Sequence, residues 1–353
     1  MKKIPALLLL TLALSFVHIA NAQTPQENEI SLSSQQQSQG TIALPTYICE
    51  LTNLNDYSVF ATNGWDANWY VGFNLCWIEE FNLPQNQRME KAFVGVKLGR
   101  AKTHIPDGKP RWQKEIVPGS IYIALSSSPV WQATDSYFLC TTEEIPLEGD
   151  KEYATEGTGE ARWFWAQVPL NKINFGGKNF VAIYSPSENL SKSENCPIIA
   201  GGFGTGAVKS WINNDINGYA PLDRETSLKT PIASFRPAIA IKLVPQNTKQ
   251  EIGVEIAKIL PSAINTSNKT LVVKVSGQSI EKLWLEYTTD NADVQETDAA
   301  KWQKTGTAIY ATPYMLTLKP STLPSSDVFI SVAAMDEWGN IGYSETIKVD
   351  EQK

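Results

Sequence analysis

The 353-residue chain has two histidines, His18 and His104. An imidazole is the usual general base and the commonest metal ligand. His18 lies in an apolar leader described below, so His104 is the single imidazole of the working protein. Multi-His metal sites are excluded, and any Ser–His or Cys–His dyad must use that residue. It stands in Lys102-Thr103-His104-Ile105-Pro106-Asp107-Gly108, which reads as a turn with a surface imidazole. Carboxylate chemistry is the remaining catalytic route. Cleavage of a glycosidic bond needs an acid and a base or nucleophile about 5–10 Å apart. Glu79-Glu80 and Glu143-Glu144 are adjacent pairs, and neighbours on one strand point to opposite faces. Glu79 with Glu160 across two strands would satisfy the distance, but no motif supports it. These groups read as solvated strand-end carboxylates, and no residue is assigned a catalytic role.

The aromatic residues say more. Eight of the 11 Trp fall between residues 65 and 211. Trp77, Trp163 and Trp165 sit inside strand-like runs and read as core. Trp65, Trp112 and Trp131 sit in turn-rich segments: Asn63-Gly64-Trp65-Asp66-Ala67-Asn68, Lys109-Pro110-Arg111-Trp112 and Ser128-Pro129-Val130-Trp131-Gln132. A Trp on a loop leaves one ring face free to stack on the CH side of a sugar, while neighbouring polar groups bind the hydroxyls. Asp66, Asn68 and Gln132 are such neighbours. The competing reading is a ring that pins its loop to the fold.

Asn213-Asn214-Asp215-Ile216-Asn217-Gly218 carries oxygen ligands at alternate positions and a Gly at the sixth, like the opening of an EF-hand loop. Asn213, Asp215 and Asn217 would be the ligands. Position twelve is Arg224 where a bidentate Glu is wanted, so Asn and Gly turn chemistry competes with calcium. No other cofactor is implied. Gly201-Gly202-Phe203-Gly204-Thr205-Gly206 is glycine-rich, but Lys209 does not follow a Gly and no helix pattern opens after it, so it reads as a strand connection rather than a phosphate cradle. Three sequons begin at Asn189, Asn265 and Asn268, a pattern that chance often produces.

Lys2-Lys3, the apolar run 4–19 and Ala20-Asn21-Ala22 form the n-, h- and small-x-small regions of a secretory signal cleaved at Ala22/Gln23. The run is short for a bilayer span of about 20 residues, so the cleaved chain is expected not to span a membrane and to be secreted, periplasmic or surface-exposed. Loss of Lys2 and Lys3 takes the formal charge from −7 to −9. That balance excludes a nucleic-acid partner, which calls for a basic stripe. Cys49, Cys76, Cys140 and Cys196 are disulfide candidates in an oxidising compartment, with three connectivities open; buried free thiols are the alternative.

The elements that must position these residues are strands. Residues 23–40 are Gln- and Ser-rich and read as a flexible polar linker. From 41 onward, short β-branched and aromatic runs recur between Gly, Pro, Asn and Asp clusters: 69–78, 92–98, 120–125, 137–142, 161–169, 179–184 and 233–243, with 57–61 and 198–203 less marked. No helical periodicity intervenes. This predicts an all-β chain, with an antiparallel jelly-roll-like sandwich over 41–246. A second sandwich follows over 247–353, with strands at 254–259, 270–276, 282–288, 314–318, 328–334 and 345–349.

Leu283-Trp284-Leu285-Glu286-Tyr287, Trp302, the Leu323-Pro324 turn and Ala333-Ala334-Met335-Asp336-Glu337-Trp338-Gly339-Asn340 together resemble bacterial immunoglobulin-like or fibronectin type III-like modules. The resemblance implies a structural unit, a spacer or binding prop. Alternation puts Trp284 with Lys282 and Glu286 rather than with Leu283 and Leu285, a departure from the buried central Trp of that fold. The expectation is an exported, non-enzymatic binding protein, its first sandwich recognising a glycan or an envelope or surface protein. A structural component of an envelope assembly is the alternative, and a jelly-roll enzyme using two carboxylates the third.

Overall fold

The computed structural model describes residues 43–58, 69–85, 88–148, 161–263, 265, 267–289, 302–324 and 327–349. Among the described residues the chain is all-β, and every pairing between its strands is antiparallel. Among the described residues no helix is long and apolar enough to cross a membrane.

The first sandwich has two facing sheets. One runs Thr46–Ile48, Ile239–Pro245, Met89–Gly99, with Ile198–Ile199 and Ala161–Val168 both pairing Met89–Gly99. The other runs Thr230–Ile232, Ser210–Asn213, Cys76–Asn82, Lys178–Tyr184, Ser120–Ser126, Ser136–Thr141. Strand alternation sorts the side chains. Val94, Val96 and Leu98 join Phe164, Ala166, Trp77, Phe81, Ile121, Ile123 and Val181 in the core between the sheets. Each fully buried aliphatic or aromatic side chain there contributes about 1.5–3 kcal/mol. The intervening residues face outward, and two of these outer faces carry aromatic clusters of their own.

The second sandwich pairs Gly253–Pro261, Lys269–Ser276 and Met315–Leu318 in one sheet. In the other, Gln303–Ile309, Ile280–Thr288 and Val328–Asp336 are followed by Ile341–Tyr343 and Ile347–Val349, which both pair Val328–Asp336. Leu271, Val273, Leu283, Leu285, Leu316, Ile330 and Val332 fill its core. Trp284 lies outside that core, as alternation requires. It packs on Ala333 and Met335, with the ammonium groups of Lys304 and Lys282 over its ring at 4.4 and 5.7 Å and its indole N–H donating to Glu286.

The strand limits depart from expectation at several points: Tyr57 and Ser58 carry no strand, with 59–61 outside the described residues, and 198–203 divides into Ile198–Ile199 and Gly201–Phe203. Residues 69–75 carry only an isolated bridge at Tyr70, and the strand begins at Cys76. The run 233–243 divides into Phe235–Pro237 and Ile239–Pro245, each in a different sheet. Thr46–Ile48, Ser210–Asn213 and Gln303–Ile309 are strands that local composition did not mark.

The second sandwich is docked on the first. The Asp336–Asn340 turn is the plug. Asn340 N–H donates to Asp336 Oδ1 at 2.8 Å, and Gly339 sits at φ +70°. Trp338 is 3% exposed among Phe93, Trp165, Ala240 and Val244 of the first sandwich, and its indole donates to the Ala43 carbonyl at 2.9 Å. A Cβ on Gly339 would stand 2.4 Å from Phe93 Cζ. Lys91 Nζ donates to the Gly339 carbonyl at 2.7 Å and to Trp338 O and Asn340 Oδ1. A spacing role implies a unit held apart; here it shares a hydrophobic cluster with its neighbour.

Candidate functional site

The seam between the sandwiches holds a groove of about 420 Å³. Its floor comes from Arg162, Trp163 and Trp165 of the run Arg162-Trp163-Phe164-Trp165. Phe164 enters the core, so Trp163 and Trp165 lie together on the opposite face of the strand. Trp165 lies over Gly95, its cross-strand partner: a Cβ at Gly95 would meet Trp165 Cε3 at 2.3 Å. The two indoles stack at 5.3 Å between centroids and 16° between planes. Tyr47 continues the row at 5.7 Å from Trp165, and Tyr57 closes it edge-on at 5.9 Å from Trp163.

The second sandwich supplies the other wall through Ser279, Ile280, Glu281, Tyr310 and Glu337. Tyr47 Oη donates to Glu337. Burial, then that hydrogen bond, raises the Tyr47 phenol, which therefore stays a proton donor. Lys242 has a fully buried side chain; its ammonium lies 4.6 Å from the Phe93 ring centroid and 4.8 Å from that of Trp165 and binds Glu281 at 2.9 Å. Removing Glu281 would leave a buried uncompensated cation, a loss of about 3–5 kcal/mol. The Arg162 guanidinium stacks 4.4 Å above Tyr310, whose hydroxyl burial also holds protonated. Trp165 is 8% exposed in the cluster with Trp338, so the groove joins the half-buried indole of Trp163 to hydrogen-bonding groups of both signs. A larger cleft of about 850 Å³, lined by His104, Glu115, Glu143, Asn189, Thr307 and Lys319 among others, has no Trp, Tyr or Phe among its described lining residues.

Of the residues singled out in the sequence, Trp65, Asp66 and Asn68 lie outside the described residues, as does Glu160. Trp112 is 80% exposed on the hairpin between Thr103–His104 and Glu115–Ile116 and does not line the groove. Trp131 corrects the loop-platform reading: it is 1% exposed, packed with Ile78, Phe180 and Tyr184 on the outer face of the second sheet, its backbone N–H donating to Pro221 O. The Ser128-Pro129 turn folds it inward, so neither ring face is free. Gln132 is exposed, and its backbone N–H is capped by Asp135.

The calcium segment is turn chemistry. Asn213 Nδ2 donates to Thr226 O and Ser227 O, and its Oδ1 accepts from Asp215 N–H at 2.9 Å. Asp215 is bound to Lys229, which lowers its carboxyl below the usual range. Asn217 is exposed beside Gly218, at φ +78°. Among the described residues no three His, Cys, Asp or Glu side chains cluster as metal ligands. The 201–206 glycines serve packing: a Cβ at Gly201 would stand 1.9 Å from Phe235 Cζ, and one at Gly202 would stand 2.8 Å from Asp56 O.

The four disulfide candidates are corrected too. Cys49, Cys76, Cys140 and Cys196 are free thiols. Cys76 sits on the outer face of one sheet, Cys140 and Cys196 in the core, and Cys49 at the seam side of the other sheet. Burial pushes Cys76 and Cys196 up to about 12, so they behave as small apolar side chains.

Glu79 is the other correction. It is fully buried between Trp77 and Phe81 on the inward face, with Oε2 accepting from Ser210 Oγ at 3.3 Å and Oε1 unpartnered. Burial, then Glu50, raises its carboxyl well above the usual range.

No family model matches the sequence, and no curated protein matches it. Solved structures do. A β-glucuronidase from Ruminococcus gnavus in complex with D-glucuronic acid is 11% identical at a TM-score of 0.18, over 83% of this chain and 39% of that one. Another crystal structure of Ruminococcus gnavus β-glucuronidase is 11% identical at a TM-score of 0.19, over 83% and 37%. This chain spans under two fifths of those enzymes. Likeness at that level says nothing about activity.

Proposed function

We propose that this protein is an exported, non-enzymatic carbohydrate-binding protein whose ligand lies in the seam groove. The observation that supports this reading is the half-buried indole of Trp163, stacked on the buried Trp165 and flanked by Arg162 from the first sandwich and by Glu281 and Glu337 from the second. Indole faces take the CH side of a pyranose, and the charged groups accept and donate to its hydroxyls. The test is a glycan array on the mature protein, followed by tryptophan-fluorescence titration of the hits. Trp163→Ala is expected to weaken binding by ten-fold or more, and Glu337→Gln by less. Silence across a broad array, with intact folding, overturns the reading in favour of a structural envelope component.

Glu281 and Glu337 in one groove support a second reading, hydrolysis by two carboxylates. Each already has a fixed partner, Lys242 and the Tyr47 hydroxyl, which favours binding over turnover. Release of reducing ends from a polysaccharide panel, abolished by Glu337→Gln, would establish the enzyme instead.

A further inference from the structure

The hairpin that carries Trp112 takes no part in the groove. Its foot is paired through Thr103 with Ile116 and His104 with Glu115, and Lys102 is anchored to Glu148 at 2.6 Å. Between these ends runs a ten-residue loop, 105–114, stiffened by two turns: Lys109 N–H donates to Pro106 O and Gln113 N–H to Pro110 O. Every residue from 103 to 115 except Pro106 is exposed. The loop holds two large apolar side chains in solvent, Trp112 at 80% and Ile105 at 43% exposure. Residues 109–114 read Lys-Pro-Arg-Trp-Gln-Lys, three cations and no carboxylate, in a chain of net charge −7. The hairpin's acids are Asp107, in the first turn, and Glu115, at the foot.

We propose that this hairpin is a membrane-surface finger: Trp112 and Ile105 enter the headgroup–acyl boundary of an anionic bilayer while Lys109 and Arg111 meet lipid phosphates. Three arguments favour that occupant. Tryptophan belongs at this boundary, where its ring is apolar and its N–H stays wet. Sugar stacking would use one indole face and leave Ile105 uncovered, whereas a bilayer interface accepts both. The chain's net charge does not oppose the contact, because a loop of this length reaches beyond a Debye length of about 8 Å, and the surface senses the local cations.

The test uses the full mature chain with vesicles of phosphatidylcholine, alone or mixed with phosphatidylglycerol. Sedimentation is expected to show partition onto the anionic vesicles only, weakening with salt. Each cation removed, in Lys109→Gln and Arg111→Gln, should lower partition about five-fold. Trp112→Ala should reduce it further, and brominated lipid should quench the wild type but not a Trp112→Phe variant that still sediments. Because Trp112 is exposed, an unchanged circular dichroism spectrum certifies the variants. Equal binding to neutral and anionic vesicles, no partition at all, or capture by a soluble acidic polysaccharide without vesicle binding would each overturn the proposal.

Discussion

Glu79 shows what a single buried group does to stability. Its folded-state carboxyl is raised by burial, so the native protein holds a proton that the unfolded chain releases in the usual carboxylate range. Between that range and the raised folded value the native state binds more protons, and stability falls as pH rises. Glu79→Gln removes this slope. The variant is expected to melt higher than wild type at neutral pH and close to it below the ordinary carboxylate pKa, as thermal scans across pH would show; parallel curves at all pH values would count against a protonated Glu79. The thiols give a second residue-level expectation. Reagent titration of the native protein should label Cys76, Cys140 and Cys196 slowly, because burial disfavours each thiolate, and all four Cys should react on unfolding. Fewer than four thiols in the unfolded, unreduced protein would reveal a bridge.

At the scale of elements, the Asp336–Asn340 turn joins the sandwiches. Gly339 carries two demands at once, the left-handed φ and the closeness of Phe93, whose ring would stand 2.4 Å from any Cβ placed there. Trp338→Ala removes the indole from the shared cluster and is expected to lower stability by about 3–5 kcal/mol in denaturant unfolding. Separation of one transition into two would locate the loss at the seam. An unchanged single transition would show that docking does not depend on the plug. The motif was legible as a hairpin, because Asp, Gly and Asn at those positions are turn chemistry. Its destination was not, since nothing local to 336–340 says which surface Trp338 meets.

At the scale of the molecule, the groove exists because two sandwiches meet: the indole row comes from one and Glu281, Tyr310 and Glu337 from the other. Trp338→Ala is therefore expected to weaken glycan binding as well as stability. Local sequence pattern determined the all-β class, most strands, the outward side of Trp284, and the shared face of Trp163 and Trp165, because strand alternation is a property of neighbouring residues. The same pattern reads both indoles as core, which holds for Trp165, buried with Trp338, while Trp163 stays half-buried at the seam, because a sheet has two coverable faces and period two does not say which is wet. It also reads Trp131 as a platform and Glu79 as a surface group, and it favours disulfides for four cysteines that are free thiols. Those outcomes depend on contacts between residues far apart in the chain: the Pro221 carbonyl bound to the Trp131 backbone, Ser210 beside Glu79, Gly95 beneath Trp165. Short-range periodicity sorts side chains to faces; only long-range packing decides which face another segment covers and which stays open to a ligand.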